Sequence, residues 1–231
     1  MKRLYETATA QAVEGGYGVM LDQTRLLTPA KLPLVVPSSA LAAAIANEFQ
    51  AQGAEFRPYT MPLMRLASTA IDIVAERHAD VVAEIAAYAG TDLLCYRDDR
   101  PPELVARQHA VWQPLLDWAT LRYDAPLMVT AGIVPVTQPP ASLRALAVAV
   151  AAYEPMRLAA LHAITTVSGS LIIALALMEG ELDPDAAFAA AQLDESFQIE
   201  RWGEDYEAAD RRAALKADIA TAARFAVLLD E

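Results

Sequence analysis

The sequence predicts an α+β protein: a small N-terminal α/β domain with short strands, residues 1–60, followed by a larger all-helical domain, residues 61–231. Three observations carry this. Prolines at 29, 33 and 37 and two strand-like runs crowd the first sixty residues. From Pro62 onward apolar residues recur at helical spacing, and alanine, which loses no side-chain entropy in a helix, dominates after residue 140. Hydrophobic residues make up 55% and charged residues 21%, enough apolar material for a packed core.

Taken in order, "RLYETATAQAV" and "YGVMLD" flank "EGG", which predicts two strands joined by a turn. "TRLLTPAKLPLVVPS" predicts short extended pieces, because proline is excluded from helix interiors. "SSALAAAIANEFQAQG" predicts a helix that Ser38 or Ser39 caps and Gly53 ends, with Leu41, Ile45 and Phe49 as its apolar stripe. "MPLMRLASTAIDIVAERH" places Leu63, Leu66, Ala70 and Ile73 on one helical face, with His78 at the helix end. "DLLCYRDDRPP" reads as a short buried strand or extended piece leading into a turn. "PELVARQHAVWQPLLDWATLRY" is a long amphipathic helix with a kink or break at Pro114. An extended, loop-like interlude follows over "APLMVTAGIVPVTQPP". Helices are then predicted at 141–152, 155–179 and 184–200, the last started by Asp183 and Pro184 and lined inside by Ala186, Ala190, Leu193 and Phe197. Gly203 breaks the chain, and a final helix runs from about Asp205 towards Leu228.

Charge excludes whole classes of partner. The net charge is -12, distributed as 0 over residues 1–60, -4 over 61–180 and -8 over 181–231. A phosphate backbone or an anionic membrane surface would be repelled by the C-terminal part. The apolar stretch "LIIALALM" is far shorter than the ~20 residues a membrane-spanning helix needs. One cysteine, Cys95, allows no intrachain disulfide, which suits a reducing compartment. The start carries no apolar signal core and no presequence character, so bacterial cytoplasm is expected, or the mitochondrial matrix for a eukaryotic source.

No motif for chemistry emerges. There is no phosphate-binding loop, no H-E-x-x-H and no G-x-S-x-G, so no metal or cofactor is expected. His78, His109 and His162 read as structural, and Cys95 as a buried inert thiol. Gly169 and Ser170 read as small residues that let two helices approach closely. Asp98 and Asp99 in "RDDRPP" are flanked by arginines, as in a solvated or salt-bridged turn.

The densest feature is "LDESFQIERWGEDYEAAD", residues 193–210, with seven acidic residues, Trp202, Tyr206 and the single base Arg201 around Gly203. A catalytic pair among Glu195, Glu200, Glu204 and Glu207 would need a pocket that separates their pKa values, and no residue pattern supplies one. A solvated helix junction explains Glu195, Glu200 and Asp210 but not the tryptophan. At such a break Trp202 is either packed on the core or exposed as an interface anchor, and the residues alone favour packing.

Four stretches together carry a resemblance over nearly the whole chain: residues 21–38, 41–72, 169–177 and 193–208. In order and spacing they resemble the Atp12 family, the assembly chaperones of the F1 sector of ATP synthase. Two departures stand out. Phe49 occupies the place of the family's usual tryptophan, with Gln52 in the glutamine place, and Gln23 replaces a usual glycine in a turn where positive φ would suit glycine. The resemblance implies a small α/β domain followed by a helical domain, and a non-enzymatic chaperone that works without ATP. It implies binding of the unassembled α subunit of F1-ATPase, shielding its interface until the β subunit replaces the chaperone. The alternatives are a holdase of broad specificity or an enzyme with a carboxylate site. Client-contact candidates are Trp202, Gly203, Glu204, Asp205, Glu207, Glu195 and Gln198. With no heptad seam in view, the free protein is expected to be a monomer.

Overall fold

The computed structural model describes residues 3–132 and 134–231. Ile133, in the interlude before residue 140, and the first two residues lie outside that description. The fold is α+β, with short strands at the N-terminal end and helices after them. By contacts the chain forms two compact units. One takes Met1–His78 with Glu154–Ala160 and Thr221–Glu231; the other takes Ala79–Tyr153 with Leu161–Ala220.

In the first unit, β1 (Ala8–Val13) and β2 (Gly16–Leu21) form the predicted antiparallel hairpin around Glu14 and Gly15. A Cβ on Gly16 would lie 2.4 Å from the Val36 carbonyl oxygen, so only glycine fits. The other side of β2 pairs with β3 (Thr24–Arg25) and β4 (Val35–Val36). The positive φ expected near Gln23 falls instead on Asp22, at 53°. Its carboxylate accepts from the N–H groups of Glu6 and Thr7 at 3.1 and 2.9 Å, and these bonds hold its pKa below the ordinary value.

α1 (Ser39–Gln50) starts on Ser38, whose hydroxyl accepts from the Leu41 N–H at 3.0 Å. Leu41, Ile45 and Phe49 are buried as predicted. The helix stops before Gly53, because Gln52 turns inward and ties down the following loop. Its amide donates to the Thr60 hydroxyl at 2.9 Å and accepts from the Arg57 N–H at 2.9 Å. α2 (Pro62–Thr69) has no cap of its own. Glu48 of α1 supplies one, accepting from Leu63 and Met64 N–H at 2.8 and 2.9 Å. A π-helical turn, Ala70–Val74, then swells the helix. It shifts the inner face to Leu63, Ala67, Ala70 and Val74 and leaves Ile73, expected inside, 47% exposed. Within the same unit the Ser38 hydroxyl donates to the Leu228 carbonyl, and Arg157 pairs with Asp230.

The second unit is helical apart from a small parallel pair, β5 (Tyr96–Arg97) with β6 (Thr130–Ala131). Its helices are α3 (His78–Ala87), α4 (Pro102–Tyr123), α5 (Pro140–Ala151), α6 (Pro155–Ser168), α7 (Leu171–Met178), α8 (Pro184–Ala191), α9 (Leu193–Trp202) and α10 (Tyr206–Leu228), of which α3, α6 and α10 also carry residues of the first unit. His78 opens α3 rather than ending a helix, since the preceding helix has already ended after the π turn. α4 continues unbroken through Pro114. It holds the fully buried Trp112, whose indole N–H donates to the Ala190 carbonyl at 2.9 Å.

Two predicted helices prove to be two each. The 155–179 segment breaks at Gly169, where φ is +69°, and a Cβ there would meet nothing within 4 Å. Gly169 therefore serves a left-handed break and not a close helix approach. Ser170 then caps α7, accepting from Ile173 N–H at 3.0 Å. The 184–200 segment bends at Gln192, so Ala187 and not Ala186 faces inward with Ala190, Leu193 and Phe197. α7 is buried along all but its last residue, as expected of a helix apolar on every side. Among the described residues no helix is long and apolar enough to cross a membrane.

Asp92 fixes the α6–α7 break. Its side chain, fully buried, accepts from the Ser170 hydroxyl at 2.7 Å and from the N–H groups of Ile172 and Leu94 at 3.1 Å each. Burial pushes its carboxyl up to about 6 despite these bonds. Nearby Cys95 is buried, and burial together with Asp92 pushes its thiol up to about 12, so it is inert as expected.

Asp92→Ala leaves a buried hydroxyl and two N–H groups unsatisfied and should cost roughly 2–4 kcal/mol in urea unfolding. Because the folded pKa is raised, the contribution of Asp92 to stability is fully present below its unperturbed 3.8 and lost as pH rises through about 6. Wild type should therefore gain on Asp92→Asn between pH 7.5 and pH 5, measured by the same unfolding.

Candidate functional site

The junction of α9 and α10 is built from charges spent in two ways. On the inner side of α9, Leu193 and Phe197 are buried. Two arginines lie over the Phe197 ring, Arg201 at 4.4 Å and Arg107 of α4 at 5.3 Å. Arg107 grips Glu200 with both guanidinium nitrogens, at 2.8 and 2.9 Å, and this bond lowers the Glu200 pKa. Arg201 pairs with Glu103 at 3.4 Å. Glu200 thus serves to join α9 to α4, and its lowered pKa is the reverse of what a general acid needs.

A third arginine fixes the break itself. Arg212 of α10 pairs with Glu204 at 3.1 Å and donates to the Ser196 hydroxyl at 3.1 Å. Gly203 ends α9 at φ 85°. Asp205 caps α10, accepting from Ala208 N–H at 3.0 Å. Of the predicted contact residues, Gly203, Glu204 and Asp205 therefore have structural work in setting the turn.

The others face outward. Trp202 is 76% exposed and Tyr206 81% exposed. The packed position favoured for Trp202 from residues alone is overturned: the last turn of α9 projects past the buried Phe197, and the arginines already cover that ring. Glu195, Gln198 and Trp202 follow one another at i, i+3 and i+7 along α9, with Gln198 exposed and Glu195 half-buried. Glu207 is exposed in the first turn of α10. The result is a rim with two large aromatics, one on each side of a glycine, and carboxylates around them.

Sequence reasoning missed several residues that hold this site. Gln108, fully buried, donates through one amide group to Asp98 at 2.9 Å and Asp194 at 2.8 Å. Burial, with the Asp98 charge adding to it, raises the Asp194 pKa. Asp98 is thus tied to α4 and shares the Gln108 amide with Asp194 of α9, while Asp99 makes the expected local pair, with Arg100 at 3.6 Å. These partners lie 86 and more positions apart for Asp194, Arg107 and Arg201, so no local spacing could reveal them.

Glu195, Glu200 and Glu204 border neither of two cavities that the described residues form. Those, about 510 and 500 Å³, belong to the first unit, beside Val35 and Met156 and beside Gln52 and Arg57. Among the described residues no three His, Cys, Asp or Glu side chains converge as metal ligands would.

A family model described as ATP12 chaperone protein matches residues 2–120. The structure of Atp12 from Paracoccus denitrificans is similar at 43% identity and a TM-score of 0.94, over 99% of this chain and 98% of that one. A charge-reversal mutant of the same protein matches equally, over 97% of its length. A protein from Agrobacterium tumefaciens matches at 44% identity and a TM-score of 0.91, over 98% of this chain and 85% of that one.

The geometry separates anchors from braces. Trp202→Ala and Glu207→Lys should leave the unfolding free energy within about 0.5 kcal/mol of wild type. Arg212→Ala, which frees the Glu204 turn and the Ser196 contact, should cost about 1–2 kcal/mol in the same urea titration.

Proposed function

The chain belongs to the ATP12 chaperone family, and we propose that it is an ATP-independent assembly chaperone for the unassembled α subunit of F1-ATPase. It covers the α surface that β later takes, and it leaves when β arrives. The observation that carries this is the exposed pair Trp202 and Tyr206 in a carboxylate rim. Large exposed aromatics of this kind serve as interface anchors, while the carboxylates around them steer and register a partner without adding much affinity. An orphan subunit shows an apolar interface that would otherwise aggregate, and a cover that must later be exchanged cannot bind too tightly.

Trp202 and Tyr206 supply contact area in this reading. Glu207, Glu195 and Gln198 supply the polar rim. Gly203, Glu204 and Asp205 hold the angle that presents them. The sequence holds no phosphate-binding loop, which agrees with action without nucleotide. A non-catalytic role also agrees with Glu200 being locked to Arg107. The reading places the protein in solution as a monomer, in the bacterial cytoplasm or its mitochondrial equivalent.

The purified protein, mixed with isolated F1 α and β subunits without ATP, should capture α one-to-one and leave β free. Trp202→Ala and Glu207→Lys should each weaken capture about tenfold or more, at unchanged melting temperature. Glu204→Lys is the less clean variant, since it also breaks the Arg212 pair. Equal capture of α, β and an unrelated unfolded protein would make the chain a general holdase, and no capture at all would remove the chaperone reading for this client.

A further inference from the structure

The hairpin of the first unit leaves one sheet edge open. β1 pairs with β2 along its whole length, from Ala8 against Leu21 to Val13 against Gly16. Residues paired across the tight turn exchange both their backbone bonds, and in an antiparallel ladder such pairs alternate. Thr7, Thr9, Gln11 and Val13 therefore aim their N–H and C=O groups at β2. The Asp22 N–H bond to the Thr7 carbonyl, 2.9 Å, confirms that parity. Ala8, Ala10 and Ala12 aim theirs the other way. The Ala8 N–H is taken by the Gln50 side chain at 2.9 Å. Ala10 and Ala12 are exposed, and the ladder parity turns both their backbone groups away from β2.

Natural sheets protect such edges with charge, proline, a bulge or a cover. β1 has no charge, proline or bulge, and α1, which packs against the strand, bonds its edge through Gln50 at Ala8. Its sequence, "ATAQAV", carries no charge and no proline, and its register with β2 runs without a bulge. Four of its six residues are exposed. Charges stand only at the two ends, Glu6 before the strand and Glu14 in the turn.

We propose that the free edge of β1 is a strand-addition site for an extended segment of the client subunit, with neutral residues flanked by a lysine or arginine. The proposal rests on the client reading above and adds a second contact surface to it. Open backbone donors and acceptors at a two-residue repeat are satisfied only by another extended backbone. The end carboxylates select the charge of what docks. They also speak against a second copy of this chain: antiparallel β1 pairing centred on Ala10 would set Glu6 of each copy against Glu14 of the other, like charge on like charge.

Backbone exchange tests this directly. In the isolated protein the Ala10 and Ala12 amides should exchange at nearly the rate of an open strand, and saturating F1 α subunit should slow both at least tenfold. Ala12→Pro removes an outward donor and spares the β2 ladder, so it should cost tenfold or more in α capture at little change in melting temperature. Should that variant not fold, Ala12→Lys places a guarding charge on the same edge and carries the same expectation. Captured α with unprotected Ala10 and Ala12 amides overturns strand addition and leaves the client reading standing. Failure of the wild type to capture α overturns both. Protection that rises with the protein's own concentration overturns the client segment in favour of self-pairing.

Discussion

A single buried carboxylate sets the course of the helical unit. Asp92 sits where an uninterrupted apolar helix would otherwise run, and it collects a hydroxyl and two N–H groups at the α6–α7 break. An ionised carboxylate in such a place is costly unless fully hydrogen-bonded, and its raised pKa shows the remaining strain of burial. The arrangement works because Gly169 takes the left-handed conformation and Ser170 turns its hydroxyl both to Asp92 and to the start of α7. α7 can then lie wholly inside, beside α4 and α8. Trp112 and its bond to Ala190 complete the same packing.

In the first unit the last turn of α1 has a comparable part. Glu48 caps α2, Phe49 stacks at an angle with Tyr5 and Phe56, Gln50 holds the start of β1, and Gln52 pins the loop that follows. Four neighbouring side chains thus serve four different segments. The same residues leave the outer edge of β1 uncovered beyond Ala8, which is why that edge stands open.

The C-terminal acidity acquires a meaning through what neutralises it. Arg107, Arg201, Arg212 and Lys216 are all engaged by carboxylates of their own unit, Glu200, Glu103, Glu204 and Asp185. These four bases are spent in joining helices, and Arg211 is exposed one turn after Glu207. The rim around Trp202 and Tyr206 keeps Glu207, Glu195 and their neighbours as surplus negative charge. An aromatic pair within surplus charge is suited to a partner that is basic at its margin and apolar at its centre, and such an interface can form fast and still exchange.

Much of this was determined by the sequence alone. The hairpin over "EGG", the Ser38 and Asp183 caps, the stripe of Leu41, Ile45 and Phe49 and the inert Cys95 follow from local chemistry, since turns, caps and periodicity act within a few residues. The stretches at 21–38, 41–72, 169–177 and 193–208 together carried the family resemblance. Tertiary structure alone decided the rest. Periodicity continues across Gly169 and Gln192, so only the partners waiting there, Asp92 above all, show that each helix ends. Burial of Ile73 was lost to a π turn that no pattern marks. The return of residues 154–160 and 221–231 to the first unit, the arginine partners of Glu200 and Glu204, and the exposure of Trp202 depend on residues distant in the chain. Their energies come from contacts that exist only after folding, and no local spacing records them.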